Sequence, residues 1–453
     1  MERNLTTGSV FKNLLIFSLP YLLSYFLQTL YGMADLYIIG QFDAVASTTA
    51  VSIGSQVMHM LTVMIVGLAM GTTVSIGQAI GANDKKSASE AIGNTVILFM
   101  AVAIGLTVLL LLLVKPIVAV MSTPEEAVSG TIQYLTICFI GIPFITAYNI
   151  IASIFRGMGD SKSPMYFIAI ACVCNIALDY LFMGAFEMGP AGAALGTTLA
   201  QTISVIISLA VILKKKMGLT FSKADFRPKK STMGGIVKVG LPIACQDGLI
   251  QIAFLIITII VNQRGVNDAA AVGIVEKIIT FLFLVPSSML SAISAIGAQN
   301  IGAGKPERAI KTLRYGIMLA AGFGLVIALL MQFVSAPVVS LFTDGSTADG
   351  AEVIRLGGQY LKGYAWDVFF AGFHFCFSGY FCAIGKSGIS FMHNIIAIAV
   401  MRIPGVYMAS KLFSDTLLPM GLATASGSLV SSIICVIAFA VIHKRQKKAA
   451  LNP

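Results

Sequence analysis

Apolar residues along this chain run nearly unbroken for about 20 positions or more at a time, the length a helix needs to cross a bilayer. Short stretches carrying Lys, Arg, Gly and Pro separate the runs. Placed on the chain, they predict twelve spans, near residues 12–40, 46–80, 88–114, 127–155, 164–186, 191–213, 235–261, 268–300, 310–342, 353–382, 388–410 and 420–442. Strands of a membrane barrel would alternate apolar and polar positions, and these runs do not. The expected class is therefore an all-α membrane protein. Several runs exceed the bilayer thickness and should tilt, bend or project into water. Pro143, Pro242 and Pro286 mark expected local breaks. The first run reaches from Lys12 to Ile39, too long for a secretory signal core, and reads as a retained first helix. Between the third and fourth runs, Thr123 is expected to cap a helix, with Pro124 at its first position and Glu126 completing a capping box.

The two halves of the pattern echo each other. Ser18-Leu19-Pro20 returns as Gly240-Leu241-Pro242, and Gln78-Ala79-Ile80-Gly81-Ala82 returns as Gln299-Asn300-Ile301-Gly302-Ala303. Gly159-Asp160-Ser161-Lys162-Ser163 is echoed by Gly385-Lys386-Ser387. The repeated unit is six spans. Six is even, so both copies insert with the same orientation, as parallel transporter repeats do. Two pseudo-symmetric six-helix bundles are expected: an N-lobe over 1–213 and a C-lobe over 235–442. A basic linker over 214–234 joins them, and a basic tail covers 443–453.

Composition sharpens this picture. Of 453 residues, 57% are hydrophobic and 11% charged, more apolar surface than a water-soluble fold can hide. The net charge of +10 suggests no nucleic-acid partner, because the cations lie in short loops beside apolar runs. Lys85, Lys86, Arg156, Lys162, Lys305, Arg308, Lys311, Arg314 and Lys386 fall after even-numbered spans. Lys214, Lys215, Lys216, Lys223, Arg227, Lys229 and Lys230 fill the central linker, and His443, Lys444, Arg445, Lys447 and Lys448 the tail. The opposite loops carry Asp43, Glu125, Glu126, Asp344 and Asp349. Positive residues stay inside, so both termini are expected in the cytoplasm and the chain in the inner or plasma membrane. The seven cysteines, such as Cys138, Cys172, Cys245 and Cys435, follow no metal or disulfide spacing and read as packing residues. No nucleophile–base pair, metal motif or phosphate loop marks an enzyme, and no cofactor is expected.

Carboxylates inside apolar runs are costly, about 2.5–3.5 kcal/mol each on insertion scales, and each is a functional candidate by default. Asp35 lies deep in the first run and Asp179 in the fifth, with Asn175 one helical turn before it on the same face. Oxygens from an amide and two acids suit a hard cation. The same side chains would also serve as a polar pair pinning two helices together. Under the repeat Asp35 corresponds to Ile257, Asp179 to Ile403 and Asn175 to Ala399, so the acidic cluster belongs to one half only. The second half holds Asp247, Glu276 with Lys277, Asp367 and Arg402. Asp367, near Tyr364 and Trp366, has the makings of a site for a cationic aromatic compound, and placement at a helix end near water is an equal alternative. His59, His374 and His393 show no zinc spacing.

The paired halves, the Leu-Pro near the start of each, the surroundings of Asp35, Phe155-Arg156-Gly157-Met158-Gly159-Asp160, Asn175 to Asp179, and Gly192-Ala193-Ala194-Leu195-Gly196-Thr197 together resemble the multidrug and toxic compound extrusion (MATE) family. The resemblance covers nearly the whole chain and is closer to the DinF-like branch. It implies an antiporter, active as a monomer among membrane lipids, that exports small, cationic or amphipathic compounds in exchange for Na⁺ or H⁺. It also implies that Thr197 joins Asp35, Asn175 and Asp179 at the cation, and that Gln28, Tyr31, Tyr134 and Asn149 line the N-lobe cavity. Gln251 and Asp367 fall near the places where one branch of the family has C-lobe acids, and with Glu276 they are the C-lobe substrate candidates. In related sequences proline follows the fifth-span acid, whereas here Tyr180 does. A lipid-linked saccharide flippase of the same wider superfamily is the alternative. Such proteins tend to have additional spans and a cationic cavity, against twelve spans and mainly acidic cavity candidates here.

Overall fold

The computed structural model describes residues 4–215 and 219–451, without the side chains of Lys215 and 446–451. Lys216, and the side chains of Lys447 and Lys448, lie outside that description. The described residues are overwhelmingly helical and contain no strand. In chain order the helices are α1 (Val10–Phe42), α2 (Val45–Gly81), α3 (Lys85–Val120), α4 (Glu125–Ile140), α5 (Ile142–Gly157), α6 (Lys162–Asp179) and α7 (Gly189–Lys215). There follow α8 (Lys230–Asn262), α9 (Val266–Leu282), α10 (Leu284–Gly302), α11 (Pro306–Ser340) and α12 (Ala348–Ala383). The last are α13 (Gly388–Ala397), α14 (Ile403–Leu412) and α15 (Leu418–Leu451). A π-helical turn over Tyr180–Ala185 extends α6, and another over Ile398–Arg402 joins α13 to α14.

These helices make the twelve expected rods. α4 and α5 form one rod bent by 49°, at Gly141 just before Pro143. α9 and α10 form another, interrupted at Phe283 just before Pro286. At both places a proline cannot donate the next helical hydrogen bond. Pro242, by contrast, sits inside an unbroken α8. Ten rods are individually long and apolar enough to span a bilayer, and the bent α4–α5 pair is an eleventh. The twelfth, α12, falls short because its membrane stretch includes Asp367 and His374. Most of α12 is buried against α9, α11 and α15 rather than facing lipid, so it can carry such residues. α2, with 37 residues, is about 55 Å long at 1.5 Å per residue, and its ends reach past the apolar core.

The chain forms two compact units. Unit 1 comprises Met1–Thr7, Ile16–Ala244 and Ala298–Gly304, and unit 2 comprises Gly8–Leu15, Cys245–Gly297 and Lys305–Pro453. In unit 1, Ile38 and Ile39 of α1 pack with Leu135, Phe139 and Ile142 of the α4–α5 rod. Unit 2 is centred on Val275, Tyr360, Tyr364, Val368, Val406 and Leu417. Where lipid supplies no hydrophobic drive between helices, small residues let backbones touch. A Cβ at Gly324 of α11 would stand 2.6 Å from the Phe369 Cα of α12.

Two local readings change. Thr123 does not cap α4: its hydroxyl donates to the Val118 carbonyl at 3.0 Å, Pro124 holds the cap position, and no side chain closes the turn. The preceding helix end has taken Thr123, because its free carbonyls are equally in need of a partner. Arg156 is not a loop cation. It is buried at the end of α5, its guanidinium 4.6 Å from the centre of the Tyr21 ring.

Candidate cation and substrate site

Unit 1 gathers the acids that the sequence scatters over 144 positions, Asp35 to Asp179. Asp35 of α1 and Asn175 and Asp179 of α6 are all buried, at 2%, 1% and 0% exposure. The Thr197 hydroxyl of α7 donates to Asp35 Oδ2 at 3.1 Å, and Asn175 Nδ2 donates to Thr197 Oγ1 at 3.5 Å. The Asp35 and Asp179 carboxyls lie close enough to interact directly. Three helices therefore deliver four oxygen-bearing side chains to one place.

Two local features make room. Gly196, one residue before Thr197, faces the Asp179 carboxyl so closely that any Cβ there would overlap it. The π turn begins at Tyr180, immediately after Asp179. A π turn interrupts the regular ladder of a helix, often at functional sites. Here it loosens the helix just beyond the acid.

The hydrogen bonding is incomplete in a directed way. Asp35 Oδ1, both Asp179 oxygens and Asn175 Oδ1 are buried without a hydrogen-bond partner. Buried polar atoms are normally satisfied, so four orphaned acceptors in one cluster call for a positive group. Two carboxylates facing each other in a low dielectric repel unless a proton or cation lies between them. The donor set is oxygen only, which suits a small hard cation. Among the described residues no three His, Cys, Asp or Glu side chains gather as a multivalent metal site would require.

A narrow crevice adjoins the cluster, lined by Tyr31, Ala171, Asn175, Thr197, Ala200 and Gln201. Tyr31 thus falls beside the acids. Tyr134 lies within electrostatic range of Asp35, and its hydroxyl is 3.1 Å from the Ser55 hydroxyl of α2. Asn149 is buried but donates to Ile145 of its own helix at 2.8 Å, and half-buried Gln28 is not among the crevice residues. Gln201 escaped the sequence reading. It stands one helical turn beyond Thr197, and its Oε1 is buried and unpartnered. The i, i+4 spacing from Thr197 was the available signal.

Unit 2 is built differently. Arg402 Nη2 donates to both oxygens of Asp367, at 3.1 and 3.0 Å, and to the Ser428 hydroxyl at 3.0 Å. His374 Nε2 lies 3.2 Å from the same hydroxyl, and His393 sits between the Ser378 and Ser431 hydroxyls. Asp367 thus has an internal cation. Glu276 keeps one buried oxygen without a partner, near Tyr360, and Gln251 is half-buried on α8.

Known proteins resemble the chain in sequence and in fold. The family model MatE matches residues 20–181 and 242–408, one block per half. The chain is 30% identical over 399 residues to the probable multidrug resistance protein YpnP of Bacillus subtilis (strain 168), covering 88% of each. It is 24% identical to the multidrug export protein MepA of Staphylococcus aureus (strain MSSA476), covering 90% of this chain and 89% of that one. Among solved structures, a MATE in complex with MaL6 superposes with a TM-score of 0.91 at 23% identity, covering 98% of this chain and 99% of that one. An outward-facing multidrug resistance MATE family transporter of the MOP superfamily gives 0.90, also at 23% identity and covering 98% of each chain. With its fold, its two matched blocks and its relatives in agreement, the chain belongs to the MATE family of multi-pass membrane transporters and is not an enzyme.

Proposed function

We propose that the protein is a secondary antiporter that exports small cationic or amphipathic compounds, drugs and toxins among them, in exchange for Na⁺ or H⁺. The observation carrying this reading is the cluster of orphaned oxygens on Asp35, Asp179 and Asn175. The multidrug names of relatives such as YpnP and MepA support the substrate class. The coupling cation binds between Asp35 and Asp179, with Asn175 and Thr197 completing the shell. Its binding shifts the balance between transporter states, because it binds one state better than another. Tyr31, Gln201 and Tyr134 sit where a compound would meet this shell, and Glu276 offers a second attraction for a cationic compound.

The N-lobe is assigned to 1–213 and the C-lobe to 235–442, with the basic stretches 214–234 and 443–453 and both termini cytoplasmic. Acids in one lobe and an internally neutralised Asp367 in the other fit the DinF-like branch. The protein works as a monomer in the plasma membrane. Proteoliposomes loaded with a cationic dye and given a Na⁺ or pH gradient test the reading. Dye movement should follow one of the gradients. Flux indifferent to both would indicate a channel, and lipid scrambling without dye flux a flippase.

A further inference from the structure

The two units build the same kind of socket from their sixth rods and fill it with opposite charges. In unit 1, Gly196 of α7 stands against Asp179, and the next residue, Thr197, gives its hydroxyl to Asp35. In unit 2, Gly427 of α15 stands against Arg402, where a Cβ would lie 3.1 Å from Nε. The next residue, Ser428, accepts from Arg402 Nη2. Each socket faces a fifth rod with a π turn: Asp179 immediately precedes the first, and Arg402 ends the second. Arg402 is also one residue before Ile403, the repeat counterpart of Asp179. Among the described residues, the unit 1 socket therefore presents two acids with no basic side chain bonded to them, whereas the unit 2 socket presents Asp367 with a guanidinium already on it. The Asp367 and Arg402 side chains are 0% and 10% exposed.

We propose that Arg402 is a resident cation, a covalently attached substitute for the exchangeable ion of the other half. It holds the Asp367 socket permanently in the cation-loaded form, so this socket neither takes up nor releases a coupling ion. A guanidinium is fixed in charge and chelates both carboxylate oxygens, so it does not leave as Na⁺ or H⁺ would. Of the two sockets, only the Asp35–Asp179 cluster is then open to an exchangeable ion. The inference rests on the reading that this cluster is the exchangeable site.

The chain's one tryptophan, Trp366, is adjacent to Asp367 and provides the test. The full chain carrying Asp35→Asn and Asp179→Asn removes the unit 1 acids, so any remaining cation response belongs elsewhere. If coupling does not use those acids, gradient-driven dye export survives in this background, a result separate from the fluorescence that follows. In this background Trp366 emission should not respond to added NaCl beyond an equal addition of choline chloride. Adding Arg402→Ala should create a saturable emission change with Na⁺ or with acid. The further change Asp367→Leu should abolish it while keeping His374 and His393 as controls for their own protonation. Methylguanidinium should raise the melting temperature of the Arg402→Ala protein and leave that of the Arg402→Ala/Asp367→Leu protein unchanged. A Trp366 that stays silent after Arg402→Ala overturns the proposal. So does an Arg402→Ala chain that no cation restores to folded yield, or loss of folding in the double change as well. The last would make Arg402 a packing residue.

Discussion

At the scale of single residues, the site depends on which oxygens lack partners. Asp35→Asn and Asp179→Asn each replace a carboxylate with an amide of nearly the same shape. Each should abolish gradient-driven export while leaving folded yield in detergent close to wild type. An equal loss of folded protein would mark the pair as a structural pin. Thr197 donates a 3.1 Å hydrogen bond to Asp35, and bonds to charged groups contribute about 1.5–3 kcal/mol. Thr197→Val should weaken cation binding at least tenfold and Thr197→Ser should retain it, as read by titration of the purified protein. Gly196→Ala puts a methyl into the Asp179 carboxyl, an overpacking cost of about 1–3 kcal/mol, and should impair binding comparably. Asp35, Asn175 and Asp179 were legible as candidates in the residues themselves, whereas Thr197 was implied only by the family resemblance. A carboxylate in a 20-residue apolar run identifies itself by cost, and the i, i+4 spacing of Asn175 and Asp179 gives their shared face. Gln201 and the pairing of Arg402 with Asp367 were not legible, since they depend on which faces of separate helices meet.

At the scale of elements, breaks and caps decide where these residues point. Pro143 and Pro286 broke their rods as expected, while Pro242 lies inside an unbroken α8. The π turn after Asp179 had no local signature, since π turns arise from an extra residue accommodated within a helix and not from a fixed motif. The cap at Thr123 failed because two helix ends compete for one hydroxyl, and spacing alone does not rank them. A cap that does form is Asp84, outside the membrane stretch, whose carboxylate accepts from the Ser87 amide at 2.9 Å and the Ser87 hydroxyl at 2.6 Å. These bonds hold the Asp84 carboxyl below its ordinary range. A depressed folded value means the stabilisation is present above the unfolded value and is lost as pH falls through the folded one. Asp84→Ala should therefore lower the melting temperature in detergent slightly at neutral pH, with the gap to wild type closing in strong acid. A gap that persists there would assign the effect to something other than the charged cap.

At the scale of the whole molecule, hydropathy and the six-span echo carried the fold class and the repeat. Their weak point was α12, whose buried position lets it keep polar residues that a lipid-facing span would not tolerate. The asymmetry between the halves was visible as acids with no counterparts at Ile257 and Ile403. The pairing of Arg402 with Asp367 in the second half could not be read from that asymmetry. The most direct measurement is Na⁺ and proton uptake by the purified protein in detergent, comparing wild type with the Asp35→Asn/Asp179→Asn chain. Wild type should take up a saturable Na⁺ or proton that the doubly substituted chain lacks, over the background titration of the other acids and histidines that both share. Equal uptake by the two proteins would contradict the account.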